Sequence, residues 1–175
     1  ESWDGYQVNS LLVNQSGKGF ASSAYMLDVG FDFDTRRVIS ADLDLDGHPD
    51  LLVGRQESTS GFFHEAAAET TPPALLIFQN TLPEARERNW IGVSLEESAK
   101  VSAHGAVVEM TRAGQVQRSV VVSGDSFMCQ HPAQRHFGLG KDGEVTVLRV
   151  IWPDGSTVEV KNPEVNRYHR ISPKS

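Results

Sequence analysis

Residues 42–50 read Asp42-Leu43-Asp44-Leu45-Asp46-Gly47-His48-Pro49-Asp50. Few nine-residue stretches restrict a fold more. Carboxylates stand at positions 1, 3, 5 and 9, and a glycine stands at position 6. Side chains two apart on a tightly turning loop converge, and that many anions at close quarters repel. A hard divalent cation resolves the repulsion, and calcium takes several oxygens at about 2.3–2.6 Å in a flexible shell. Gly47 permits the sharp turn where a Cβ would clash. The expected ligands are the side chains of Asp42, Asp44, Asp46 and Asp50 and the main-chain carbonyl of His48, holding Ca2+. A plain Asx-rich turn uses one or two such residues rather than four in register.

An EF-hand is excluded by its own requirements. It needs a bidentate Glu at position 12 and a helix on each side. Position 12 is Val53. The preceding Arg37-Val38-Ile39-Ser40-Ala41 is short and β-branched, and the following Leu51-Leu52-Val53-Gly54 is an apolar run stopped by glycine. Both read as buried strands. The loop therefore joins two strands, with Asp50 closing the site.

Charge supports a cation over a polyanion as partner. Residues 1–88 hold six Lys and Arg against fourteen Asp and Glu, a net of −8, whereas residues 89–175 hold ten against nine, a net of +1. Nucleic acid needs a basic face, which the first half lacks. No apolar run approaches the ~18 residues of a membrane span. The single cysteine, Cys129, allows no internal disulfide. The chain starts at Glu1, which reads as a trimmed fragment.

Turn signals punctuate the rest: Gln15-Ser16-Gly17-Lys18-Gly19, Arg112-Ala113-Gly114-Gln115, Lys141-Asp142-Gly143-Glu144 and Pro153-Asp154-Gly155-Ser156. Between them lie apolar or alternating runs at 10–13, 75–78, 91–95, 106–110, 117–122, 145–152 and 157–160. Residues 111–115 and 153–156 read as hairpin loops. The fold class is all-β. One exception is a possible short helix at 62–69, within an insertion ended by Pro72-Pro73. A break at 82–88, with Pro83 and four charges, places the domain boundary between 88 and 89. The strand-then-amide pattern of Leu11-Leu12-Val13-Asn14 returns at Leu76-Ile77-Phe78-Gln79-Asn80, which suggests a propeller-type repeat. One repeat cannot bury both faces alone.

Residues 38–80 resemble the FG-GAP, or VCBS-type, repeat. Asp42, Asp44, Asp46 and Asp50 match its calcium ligands, and Leu51-Leu52-Val53 its following strand. Leu12-Val13-Asn14 through Gly19-Phe20 looks like the tail of a preceding repeat. Residues 89 to about 170 resemble the ASPIC/UnbV domain through Asn89-Trp90-Ile91, Gly105-Ala106-Val107-Val108, Val122-Ser123-Gly124, His136-Phe137-Gly138-Leu139-Gly140 and Val150-Ile151-Trp152-Pro153-Asp154-Gly155. Phe127-Met128-Cys129-Gln130-His131-Pro132 departs from that family's pattern. The pairing looks like the C-terminal part of a cartilage-acidic-protein-like polypeptide. It implies residues 1–88 as a partial propeller, an FG-GAP blade, and residues 89–175 as a small antiparallel β-sandwich or barrel. It also implies a secreted, extracellular or periplasmic setting.

Other constellations read more plainly. Gly138-Leu139-Gly140 lacks the third glycine and the helix of a dinucleotide fingerprint, and reads as a turn. Residues 145–152 read as a central strand with both faces buried. Cys129, His131 and His136 lack a fourth partner at zinc spacing, and a thiol there reads as a small apolar residue. Ser126 is not in a nucleophile elbow, because Met128 replaces the second glycine. Asp28, Asp32 and Asp34 alternate with Phe31 and Phe33, which reads as a strand with rings inward and solvated acids outward.

The expected function is a calcium-binding, non-enzymatic adhesion or recognition module whose protein or glycan partner the sequence does not name. Two alternatives stay open. One is an enzyme, or an accessory protein of a biosynthetic pathway, with a pocket uniting Cys129, His131, His136 and Arg135. The other is calcium-dependent glycan binding on a platform of Trp3, Tyr6 or Tyr168.

Overall fold

A computed structural model of the chain describes residues 8–31, 35–55, 75–83 and 86–174. Among them the regular elements are β-strands, with no α-helix. The expected helix at 62–69, Pro72-Pro73, Asp32, Phe33, Asp34, Trp3 and Tyr6 lie outside the described residues. No helix among the described residues is long and apolar enough to cross a membrane.

The chain divides into two compact units. One comprises the described parts of residues 1–38 and 51–78, the other those of residues 39–50 and 79–175. The acidic loop thus belongs with the C-terminal residues.

In the first unit, β1 (Leu12–Asn14) and β2 (Phe20–Ser22) form an antiparallel hairpin. Strand β3 (Thr35–Ala41) lies beside β4 (Asp50–Arg55), which pairs antiparallel with β5 (Leu75–Phe78). Strands β3 and β4 each continue into the second unit, at 38/39 and 50/51. Phe31 is half-buried and lies outside any strand, stacking on Phe78 with ring centroids 5.6 Å apart. Asp28, however, sits exposed in a turn at φ +58°, not on a strand. Asp and Asn tolerate that left-handed conformation better than most residues.

In the second unit, two sheets feed one core. The first has the order β11 (Thr157–Lys161), β10 (Val147–Ile151), β7 (Val107–Arg112), β8 (Gln115–Val120), all antiparallel. The second has the order β12 (Tyr168–Ile171), β6 (Asn89–Leu95), β9 (Gln134–Gly140). Ile91 and Val93 from one sheet and Val108, Leu148 and Val150 from the other are fully buried in the same cluster. Each sheet hides its apolar face against the other, the usual way a two-layer β domain closes. The β7–β8 connection is a two-residue turn with Ala113 at φ +47° and Gly114 at φ +75°, and Arg112 opposite Gln115. Two positive φ angles give the twist that antiparallel hairpins favour.

Three expectations are corrected. Gly138-Leu139-Gly140 is not a turn but the end of β9, paired with β6 across an irregularity at Asn89/Trp90. Strand β10 is interior but alternates between buried and half-buried residues rather than hiding both faces. The second unit is also not wholly antiparallel, because β12 runs parallel to β6, Tyr168 opposite Gly92 and Ile171 opposite Leu95.

The outer face of the four-stranded sheet carries a charge row in strict register. Glu109 stands opposite Arg118 and Arg149, and Arg149 opposite Glu159. Arg118 Nε donates to Glu109 at 2.6 Å, Arg149 Nη1 to Glu109 at 3.3 Å and Arg149 Nε to Glu159 at 2.6 Å. The Glu109 side chain is only 8% exposed, while those of Arg118 and Arg149 are 67% and 43% exposed. Long arginine stems covering a carboxylate while their heads reach water produce that asymmetry.

Candidate metal centre

The loop between β3 and β4 turns by bonding its own backbone. Asp42, buried, accepts the N–H of Asp46 at 3.1 Å and of Gly47 at 2.9 Å. Asp44 accepts the same Asp46 N–H at 3.3 Å, and Asp46 accepts the His48 N–H at 2.8 Å. These are Asx-type bonds that replace strand pairing over a short bend. Leu45 at φ +61° and Gly47 at φ +90° both occupy the left-handed region.

The bend gathers three carboxylates. Oxygen atoms of Asp42, Asp44 and Asp46 lie within 4.8 Å of one another, and among the described residues no other group of three Asp, Glu, His or Cys side chains does so. Asp50 is outside that group. It is buried, its two oxygens accepting the backbone N–H groups of Leu43 at 3.1 Å and Asn80 at 2.8 Å. It therefore ties the base of the loop to the chain after β5. His48 contributes its N–H to Asp46. Two amides that end the run after β5 also serve the loop: Gln79 Nε2 donates to Asp44 at 2.8 Å and Asn80 Nδ2 to the Pro49 carbonyl at 3.4 Å. The donor set is anionic oxygen with no sulfur or imidazole, the chemistry that fits Ca2+ or Mg2+ rather than a soft ion.

The loop rests on Trp90 and His136 of the β12-β6-β9 sheet, and Tyr168 packs against both rings. Tyr168, Gly92 and His136 are opposite one another across the three strands. Trp90 lies two residues before Gly92, hence on the same face. The Trp90 and His136 rings stack with centroids 5.3 Å apart, and Trp90 and Tyr168 meet at 4.9 Å, tilted 54°. Gly92 makes room, since a Cβ there would lie 2.8 Å from Cγ of Tyr168 and closer to the ring edge. Gly47 sits on the indole, where a Cβ would lie 2.6 Å from Cδ1 of Trp90 and closer to its nitrogen. His136 Nε2 donates to the Gly47 carbonyl at 2.9 Å. Burial pushes the His136 imidazole below its usual range, so the neutral Nε2–H form makes this bond. Burial first, then the negative charge of Asp42, raise the Tyr168 phenol well above its ordinary value.

Sequence reasoning missed the support given by Trp90, His136 and Tyr168. The available signal was Gly92 inside an apolar strand, a mark of close approach by another group. Tyr168, expected as a stacking platform, packs against Trp90 and over Gly92. The residues of the alternative pocket are engaged separately. His136 serves Gly47, while His131 Nδ1 lies 2.9 Å from Asp125. Cys129 Sγ donates to the Phe127 carbonyl at 3.2 Å, and Arg135 donates to the Val120 carbonyl at 2.8 and 3.1 Å.

Comparison with known proteins finds a family and several relatives. Residues 96–175 match the family described as ASPIC and UnbV. The chain is 30% identical to cartilage acidic protein 1 of Xenopus tropicalis over 128 residues, which is 71% of this chain and 18% of that protein. It is 29% identical to cartilage acidic protein 1 of Homo sapiens over 131 residues, 73% of this chain and 18% of that protein. The chain thus spans less than a fifth of the length of these relatives.

Proposed function

We propose that this chain, whose residues 96–175 match the ASPIC/UnbV family, is a calcium-binding, non-enzymatic module for adhesion or recognition. We place it in a larger secreted or periplasmic polypeptide, on the strength of its likeness to cartilage acidic protein 1. The reading divides the sequence at 88/89 into an FG-GAP-type part, one blade of a partial propeller, and an ASPIC/UnbV-type part. The three carboxylates gathered within 4.8 Å carry it. Asp42, Asp44 and Asp46 supply side-chain oxygens, the His48 carbonyl joins them, and Asp50, with lone pairs beyond its two backbone bonds, closes the shell. The dispersal of Cys129, His131, Arg135 and His136 among separate partners favours binding over catalysis.

Binding to the folded state alone stabilises it by RT ln(1 + [L]/Kd). With a Kd near 10⁻⁴ M, typical of extracellular modules, 10 mM calcium contributes about 2.7 kcal/mol. For a chain of this size that raises the melting temperature by roughly 5–10 °C. Differential scanning calorimetry in chelator and in calcium measures it. Asp44→Ala, at an exposed position, should remove most of the rise. A wild-type melt that does not respond to calcium sinks the proposal.

A further inference from the structure

We propose that the outer face of the four-stranded β11-β10-β7-β8 sheet docks a second copy of this chain, giving a weak two-fold dimer. No residue of the acidic loop takes part, so the inference stands apart from the calcium reading.

Three rows cross that face. Val108, Met110, Leu148 and Val150 belong to the core, so the residues alternating with them on β7 and β10 point the other way. The middle row is Arg118, Glu109, Arg149 and Glu159, in the strand order β8, β7, β10, β11. To one side Thr111 stands opposite Val116 and Val147, and to the other Val107 stands opposite Val120 and Ile151. A sheet face that meets only water alternates to polar residues. Here both flanking rows are largely β-branched and apolar, with Val116 50% and Val120 46% exposed.

The charge order selects the occupant. The middle row reads plus, minus, plus, minus, so its sum draws neither a polyanion nor a polycation. It is its own complement. A two-fold axis between the faces and parallel to the strands sets β8 over β11 of the second copy, and β7 over β10. Arg118 then meets Glu159, Glu109 meets Arg149 and Val107 meets Ile151, each pair twice. An axis across the strands would set Arg118 on Arg118 and Glu109 on Glu109, which repel. The arginine heads are already held at 2.6 Å, Arg118 by Glu109 and Arg149 by Glu159, so docking orders little that was mobile. Strands of five or six residues, four abreast, cover about 19 by 20 Å. That is well below the ~800 Å² each partner buries in a standard complex. The dimer is therefore weak, with a Kd above about 1 μM.

Sedimentation equilibrium of the full chain in chelator, up to roughly 1 mM, tests it. Wild type should pass from monomer to dimer, and about 1 M salt should weaken the association, since the Debye length falls to about 3 Å. Arg118→Glu sets like charges face to face in its own dimer, and so does Glu159→Arg. Each should weaken self-association about tenfold or more. Mixed in equal amounts, the two variants oppose unlike charges at both contacts, and the mixture should associate more tightly than either alone. A merely structural role for the row gives no such rescue. Wild-type amide chemical shifts followed against concentration decide the matter even where a variant does not fold: they should move on β7, β8, β10 and β11. A wild type that stays monomeric overturns the proposal, as do shifts confined to other strands or a mixture no tighter than its components.

Discussion

Replacing Gly47 by alanine tests the contact between the loop and its support. Two costs can be separated. The backbone at Gly47 has φ +90°, and an L-residue held in the left-handed region costs about 1–2 kcal/mol. The added methyl would also sit 2.6 Å from Cδ1 of Trp90, whereas optimal heavy-atom contact lies near 3.5–4.0 Å. The ring nitrogen would be closer still, so the loop or the indole must yield by well over ~1 Å, and overpacking typically costs about 1–3 kcal/mol. The sum is about 2–5 kcal/mol. Two other glycines serve as controls. Gly155 has φ +83° and nothing within 4 Å of where a methyl would stand, so Gly155→Ala isolates the backbone cost. Gly92 has no positive φ but faces the Tyr168 ring, so Gly92→Ala isolates the packing cost. Urea unfolding in chelator, followed by tryptophan emission, gives the three values, provided the slope with denaturant is unchanged. If Gly47→Ala costs no more than Gly155→Ala, the loop does not rest on Trp90 and the reasoning fails.

The charge row gives a second test. Glu109→Ala strips two arginines of their shared carboxylate, yet both heads can rehydrate. The loss should be about 1.5–3 kcal/mol, that of charge-assisted hydrogen bonds, rather than the ~3–5 of a sealed ion pair. Arg118→Ala, at a mostly exposed side chain, should cost about 1 kcal/mol or less by the same urea melts, and the reverse order would refute the assignment. Asp125 gives a third, since hydrogen bonding from His131 holds its carboxyl below the usual range. A depressed folded value means stability that is present above the unfolded carboxylate pKa of ~3.9 and lost as pH falls through the lower one. An NMR titration should place the Asp125 midpoint below ~3.9, and Asp125→Asn should flatten the acid limb of the stability curve; a midpoint at or above that value contradicts the contact.

Local chemistry was legible in the sequence and distant pairing was not. The bend at 42–50 bonds to itself, so its spacing pointed to four carboxylates meeting; Asp42, Asp44 and Asp46 are gathered, while Asp50 stands apart, tied to the backbone of Leu43 and Asn80. The β7–β8 hairpin was equally plain, its turn residues lying between two alternating runs. Strand β9 was hidden because Gly138 and Gly140 look like turn formers, yet Gly138 sits in the ladder opposite Trp90. Strand β12 was hidden because its partner lies 76 residues earlier, Tyr168 beside Gly92, and no local pattern encodes a parallel pairing of that span. The ring support inherits this obscurity. Its members come one from each of three strands and converge only once the sheet has formed. Nor does any linear boundary express that residues 39–50 pack with residues 79–175.

The parallel strand β12 orders events at the ribosome. Residue 168 is translated 126 positions after residue 42, about 6–25 s later at ordinary elongation rates. Once translated, β6 lacks for the rest of that interval the strand that pairs beside Gly92, and Trp90 lacks the Tyr168 ring it packs against. A message cut short before Tyr168 leaves that edge of the sheet open, without the ring that closes over Gly92.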